Sequence, residues 1–138
     1  MLKWPEFDLP FVPQLSYWLG GIEVYDREET LGVLLSAYDP NNLSDREIVI
    51  KEFILINFPS FTYKHKFLMV KVLEDALNSP EHDFTRQFED DYESNTCVAW
   101  NETMVNDARG FFEDIYRLAN ECWSEDLEKA RVEDLSTW

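Results

Sequence analysis

The sequence is poor in the residues from which catalytic and cofactor-binding motifs are built. Its 138 residues include only two histidines, two cysteines and four glycines. They form no zinc-finger spacing, no H-E-x-x-H pair, no P-loop, no G-x-G-x-x-G turn and no G-x-S-x-G nucleophile turn. We therefore expect a protein that binds a partner rather than an enzyme, with no metal, no other cofactor and no small-molecule substrate.

The two cysteines, Cys97 and Cys122, stand far apart and belong to no regular spacing. This pattern predicts two reduced thiols in a reducing compartment, with a single disulfide between them as the alternative. The first residues, 1–6, lead into no apolar segment, so we expect neither a signal peptide nor a transit peptide. No apolar run approaches the roughly 20 residues that span a bilayer. Together these absences favour a cytoplasmic protein.

Scarce glycine and proline also bear on the fold class. Four glycines and six prolines leave little material for the many tight turns of a β-sandwich or barrel. A hydrophobic content of 45% and an aromatic content of 15% argue against disorder despite a net charge of −16. We predict a mostly α protein, a compact bundle of about five or six helices in a single domain over 1–138. An extended arm rich in proline and aromatic residues should cover 1–13.

Capping patterns and helical spacing of apolar residues place the helices. Asp26 and Ser44 are each followed by a glutamate three residues on, which is typical of a helix start. Another start falls near Thr62, and Ser124 is the predicted cap of a final helix. The apolar face after Asn101 is the most sustained, so we expect the longest helix within about 102–123. The predicted segments are about 26–38, 44–58, 62–77, 83–92, 102–123 and 124–135, with 14–25 left unassigned.

The segment 48–58 leaves one alternative open. It is rich in β-branched residues between the Ser44 pattern and Pro59. Such residues favour strands as well as buried helices. A strand there would change the fold class to α+β.

One set of residues admits an enzymatic alternative. His65, the adjacent pair His82 and Asp83, and a later carboxylate such as Asp107 occur in an order similar to the metal ligands of helical HD-type phosphohydrolases. An adjacent His and Asp can both bind one ion. The favoured interpretation is simpler, because Pro80 places His82 at a helix start where Asp83 is an ordinary first-turn carboxylate.

Charge is distributed unevenly along the chain. Residues 1–73 hold ten acidic and seven basic side chains, whereas residues 74–138 hold eighteen acidic and five basic ones. A surface with such an excess of carboxylates repels nucleic acids and anionic membranes and attracts cationic proteins. We therefore expect a basic protein partner, with no nucleic acid and no membrane.

Acidic residues are densest over 83–93, where they alternate with aromatic residues. A solvated surface is the simplest interpretation, but carboxylates beside an aromatic anchor are also typical of an interface built against Lys and Arg. Further candidate anchors are Trp100, Trp123 and Trp138, and residues 125–134 form a competing acidic surface. The predicted partner-binding residues are Asp83, Glu89, Asp90, Asp91, Tyr92 and Glu93.

In length, acidity, aromatic content and lack of a catalytic motif, the whole chain resembles the small acidic immunity proteins of bacteria. These proteins protect a cell from its own antibacterial toxin in contact-dependent growth inhibition and nuclease-colicin systems. The resemblance lies in overall character rather than in a motif, so it assigns no residue by position. It implies a cognate basic toxin as the partner, in particular a nuclease that acts on RNA, transfer RNA or DNA.

Other functions fit the same character. A nucleic-acid mimic would block a DNA-binding protein with carboxylates spaced like phosphates. An adaptor would hold another basic protein. The second alternative is the metal-dependent, HD-like phosphohydrolase.

Overall fold

Helical segments contain 56% of the residues in the computed structural model, which describes the whole chain from Met1 to Trp138, and no β-sheet forms. The prediction of a mostly α bundle is therefore confirmed. Its five α-helices are α1 (Val33–Leu35), α2 (Leu43–Val49), α3 (Tyr63–Leu77), α4 (Ala108–Cys122) and α5 (Ser124–Arg131). No helix combines the length and the apolar character that crossing a bilayer requires.

Shorter helical turns connect and extend these helices. A π turn and a 3-10 turn continue α2 without a break, so the segment 48–58 is helical and the strand alternative is wrong. Ile50 and Ile54 are fully buried and lie one turn apart, which gives this β-branched segment a helical core face. The 3-10 helices are Leu15–Ile22, Leu55–Asn57, Phe84–Phe88 and Leu135–Thr137, and the π turns are Glu28–Gly32 and Ile50–Ile54.

The helix starts predicted at Asp26, Ser44 and Ser124 are displaced. After Asp26 the first helical residue is Glu28, and no side chain caps its π turn. The cap of α2 is Asn42, whose side chain accepts a hydrogen bond from the backbone N–H of Asp45 at 3.0 Å. The helix therefore begins before Ser44. Likewise α5 begins at Ser124 itself, and no side chain caps it. In both cases a polar residue that could cap a helix lies inside its first turn instead.

The start of α3 is confirmed. Thr62 precedes the helix, and its backbone N–H donates to Nδ1 of His65 at 3.2 Å. Nε2 of His65 lies 2.6 Å from the backbone oxygen of Lys3. This histidine is buried because it joins the start of α3 to the N-terminal segment.

The helix α4 lies within the predicted 102–123 but begins only at Ala108, and at 15 residues it equals α3 in length. Its cap is Asp107, whose carboxylate accepts from the N–H of Gly110 at 2.9 Å. A Cβ on Gly110 would lie 2.7 Å from Cγ of Asp107. Glycine at this position therefore leaves room for the cap.

The first 3-10 helix lies at the centre of the bundle, although the sequence pattern predicts no element over 14–25. Trp18 is fully buried, stacks on Trp123 at 5.6 Å and meets Phe58 edge-on at 5.7 Å. Its indole N–H donates to the backbone oxygen of Met69 at 3.2 Å. Trp18 thus ties the N-terminal third of the chain to α3 and α5.

Residues 1–13 double back on themselves beside this helix. Lys3 and Pro10 pair as an isolated antiparallel bridge, and the N–H of Phe11 donates to the carbonyl of Leu2 at 2.9 Å. Phe11 is buried, and its ring meets that of Trp4 edge-on at 4.9 Å. The segment therefore carries a small aromatic cluster onto the body of the protein.

Candidate acidic binding surface

The acidic residues after position 88 lie in a loop rather than in the predicted helix. Only Phe84–Phe88 is helical, as a short 3-10 helix, so the helix expected over 83–92 is wrong. Phe84 and Phe88 are buried as the spacing predicted. Tyr92, the third member of that spacing, is 67% exposed because the chain turns to an extended conformation at Glu89.

The tip of this loop is a tight turn. Asp91 and Thr96 exchange two backbone hydrogen bonds of 2.8 Å each. Asn95 adopts a left-handed conformation with φ of 56°, which asparagine tolerates better than most residues. Tyr92 and Glu93 therefore stand at the exposed tip of the loop.

A second segment of the chain holds the base of the loop. The N–H of Val24 donates to the carbonyl of Cys97 at 2.8 Å, and the N–H of Ala99 donates to the carbonyl of Ile22 at 2.9 Å. One carboxylate oxygen of Glu23 accepts from the N–H of Cys97 at 2.7 Å. The loop is thus paired with residues more than 70 positions earlier in the chain.

This pairing brings further carboxylates to the loop. The negative charge of the Asp90 carboxylate is the main reason why the pKa of the Tyr92 phenol is raised. The charge of Glu28 raises this pKa further. Glu28 begins the π turn Glu28–Gly32, which follows shortly after the residues 22–24 that pair with the base of the loop. We name the acidic surface by its members, of which Asp90 is half-buried: Glu28, Glu89, Asp90, Asp91, Tyr92 and Glu93.

Of the predicted residues, Asp83 stands apart from this group. Its carboxylate caps the 3-10 helix by accepting from the N–H of Thr85 at 3.0 Å, and it lies 3.9 Å from Arg86. The five-residue helix that follows advances the chain by about 10 Å before Glu89. Asp83 therefore caps the 3-10 helix and has Arg86 as a neighbouring cation.

The acidic surface has no intramolecular counterions. None of its carboxylates lies within 4.0 Å of a Lys or Arg nitrogen, whereas ten such contacts occur elsewhere. Arg27 lies within its π-turn segment, but this guanidinium donates to the backbone oxygens of Gly20 and Glu23. The negative charge of the surface is therefore left for an external cation.

The competing acidic surface near the C-terminus is, by contrast, partly neutralised by the protein's own cations. Asp126 pairs with Lys66 at 2.9 Å, and Glu128 pairs with Arg131 at 2.9 Å. Glu133 accepts a hydrogen bond of 2.6 Å from the Tyr63 hydroxyl, which holds the pKa of that carboxyl below its usual range. These carboxylates are engaged within the fold.

The four candidate aromatic anchors separate by burial. Trp100 and Trp123 are buried in the core and cannot meet a partner. Trp138 is half-buried against Phe67, with ring centroids 5.8 Å apart. Tyr92, at 67% exposure, is the most accessible of the four, and it lies within the acidic surface.

Cys97 lies beneath the acidic loop. Burial is the main reason why the pKa of its thiol is raised, and the neighbouring Asp90 carboxylate raises this pKa further. A thiol with a raised pKa stays protonated and is a poor nucleophile. Cys122 is exposed, and the two cysteines are free rather than bridged.

The residues of the phosphohydrolase alternative do not come together. His65 lies at the start of α3 and His82 beyond its end, and 15 helical residues span about 22 Å. Asp107 serves as the cap of α4. No three His, Cys, Asp or Glu side chains are grouped so that they could hold a metal ion.

Arg109 supports the segment that leads into the 3-10 helix and the loop. From α4 its guanidinium donates to the carbonyls of Leu77 at 3.2 Å, Ser79 at 2.9 Å and His82 at 3.0 Å. It also lies 4.8 Å from the centre of the Phe84 ring. One planar fork thus ties the end of α3 and the following turn to α4.

Arg109→Lys is expected to destabilise the protein by about 1–3 kcal/mol, because an ammonium cannot reproduce the planar fork over several carbonyls. The free energy of unfolding in urea measures this. Arg117→Lys is the matched control, since Arg117 lies on the same helix and makes only long, exposed ion pairs. Equal stabilities of the two variants would contradict the supporting role of Arg109.

Comparison with known protein families, with curated proteins and with solved structures finds no match for this chain.

Proposed function

We propose that this protein is an immunity protein that binds and neutralises a basic antibacterial toxin, a nuclease, through the acidic surface. The observation that carries the proposal is the contrast between the two acidic regions. The carboxylates around Tyr92 have no counterion, whereas Asp126 and Glu128 near the C-terminus are paired with Lys66 and Arg131. A folded protein that leaves one compact group of carboxylates uncompensated presents a site complementary to a cationic surface.

A nuclease supplies such a surface because it must attract a polyanion. Lys and Arg side chains that contact phosphates can equally contact carboxylates, and Arg binds carboxylates through two parallel hydrogen bonds. Tyr92 adds a ring face on which an Arg or Lys can stack, worth about 0.5–2 kcal/mol. The acidic surface can therefore occupy the site that the toxin offers to its substrate.

The test uses as partner a toxin nuclease domain, which is to be sought among the genes that neighbour the gene of this protein. Association should be steered by charge, because the binding face of this protein is negative and that of the nuclease is positive. Raising the ionic strength from about 0.01 M to 0.15 M shortens the Debye length from about 30 Å to about 8 Å. We expect the association rate constant, measured by surface plasmon resonance, to fall by about tenfold or more.

The same samples separate the competing functions. Bound protein should stop the nuclease from cleaving RNA or DNA, whereas an adaptor would bind without inhibiting. A DNA mimic would release a DNA-binding protein from its site and leave the nuclease active. An association rate that does not respond to salt, or an active nuclease in the complex, would refute the proposal.

A further inference from the structure

A groove lies between the N-terminal segment and the first 3-10 helix. Its volume is about 370 Å³, within the range of roughly 300–1,000 Å³ typical of small-molecule sites. The groove shares no residue with the acidic surface, and the proposed function makes no use of it. Five aromatic side chains line it: Trp4, Phe7, Tyr17, Phe58 and Phe61.

The rings form a continuous wall. The Trp4 ring centre lies 5.5 Å from that of Phe7, 5.4 Å from that of Tyr17 and 6.1 Å from that of Phe61. Phe7 is 50% exposed, and Trp4, Tyr17 and Phe61 are half-buried, so the wall is open to a ligand. Aromatic ring faces carry partial negative charge, which makes such a wall attractive to a cation.

The polar side chains that line the groove also favour a cation. Glu6 lies at the groove, and its carboxylate accepts a hydrogen bond of 3.0 Å from the Ser60 hydroxyl. Ser16 and Asn57 are the other polar side chains, and no Lys or Arg lines the groove.

The rings of this groove are also free of the protein's own cations. Elsewhere, Lys and Arg side chains lie over the rings of Tyr63, Phe84, Phe111, Trp123 and Trp138 at 4.3–6.0 Å. The groove therefore combines aromatic surface that no Lys or Arg covers, the Glu6 carboxylate and no competing positive charge.

We propose that this groove binds a quaternary ammonium group. Such a group is a cation without N–H donors, so it needs ring faces and a diffuse negative charge rather than hydrogen-bond acceptors. Aromatic cages are the established means of recognising it. A primary ammonium would instead lose strong hydration that the groove replaces with few acceptors. Choline and trimethyllysine both carry the group.

The experiment follows the indole N–H resonance of Trp4 by NMR while choline is added to the full chain. We expect a saturable shift with a dissociation constant on the order of 1 mM, as suits a ligand of few atoms. The neutral isostere of choline, in which carbon replaces nitrogen, should bind at least about tenfold more weakly because only the charge differs. A titration with trimethyllysine amide identifies the source of the ammonium group. Tighter binding of choline would indicate a free ligand, and tighter binding of trimethyllysine amide would indicate a modified lysine of a protein.

Two variants test the residues. Glu6→Gln and Tyr17→Leu should each weaken choline binding by about 3- to 10-fold, whereas Glu125→Gln, a carboxylate on α5 outside the groove, should not change it. Glu6 is exposed, so this variant tests the site without affecting the core. Equal binding of the neutral isostere, the absence of a saturable shift of Trp4, or unchanged affinity in both variants would overturn the proposal.

Discussion

Gly21→Ala is expected to lower the free energy of unfolding by about 3 kcal/mol or more, because the added Cβ has no space. It would overlap the carbonyl oxygen of Phe53 and lie 2.7 Å from the carbonyl carbon and 3.2 Å from Cα of Ile54. These are backbone atoms of the π turn that extends α2, so they cannot rotate away. The first 3-10 helix and this turn would have to separate, which would loosen the packing around Trp18.

Thermal unfolding measures this effect, and a loss of that size should lower the Tm by about 10 °C or more for a domain of this length. Gly32→Ala is the matched control, because its nearest atoms would lie 3.7 Å or farther from the new Cβ and its φ of −60° suits alanine. Alanine there should be neutral or stabilising by up to about 1 kcal/mol. Two variants of equal stability would show that the close approach at Gly21 is not needed.

Replacing Glu28, Glu89 and Glu93 with lysine is expected to weaken binding to the toxin nuclease by about 100-fold or more. Like charges placed across an interface cost several kcal/mol, and each reversal also removes an attraction. All three side chains are exposed and make no hydrogen bond or ion pair within the fold. The unfolding free energy should therefore change by less than about 0.5 kcal/mol per site.

The control carries the same three reversals at Glu121, Glu125 and Glu128, at the end of the bundle formed by α4 and α5. Both variants change the net charge equally, so the control measures the contribution of the overall field. Isothermal titration calorimetry gives the affinities, and circular dichroism checks the folding. If both variants bind equally well, the partner does not dock on the acidic surface.

The fold could be predicted where helices are defined by local signals. A cap at Thr62 and a sustained apolar face after Asn101 are properties of neighbouring residues. The helix α3 begins where expected, and α4 lies within the predicted 102–123 although it begins only at Ala108. The first 3-10 helix could not be predicted. Its pair of glycines reads as an interruption, whereas in the structure Gly21 is required by a contact with Phe53, which lies 32 positions away.

The candidate surface could be predicted only in part. The high density of acidic residues pointed to 89–93. The spacing of Phe84, Phe88 and Tyr92, however, predicted a helix that in the structure ends at Phe88. The chain leaves that path because its backbone pairs with residues 22–24, and such a distant pairing leaves no local pattern. The contribution of Glu28 and the difference between paired and unpaired carboxylates are likewise invisible in the sequence, because both depend on which side chains folding brings together.

The pairing of the loop with the N-terminal third of the chain also sets when the surface can exist. Val24 and Cys97 are separated by more than 70 residues, so joining them closes a long loop and carries a large entropic cost. That cost is met during folding and not when a partner arrives. The acidic surface therefore exists only once residues 22–24 have paired with residues 97–99, and the folded protein can bind without first ordering the backbone of this loop.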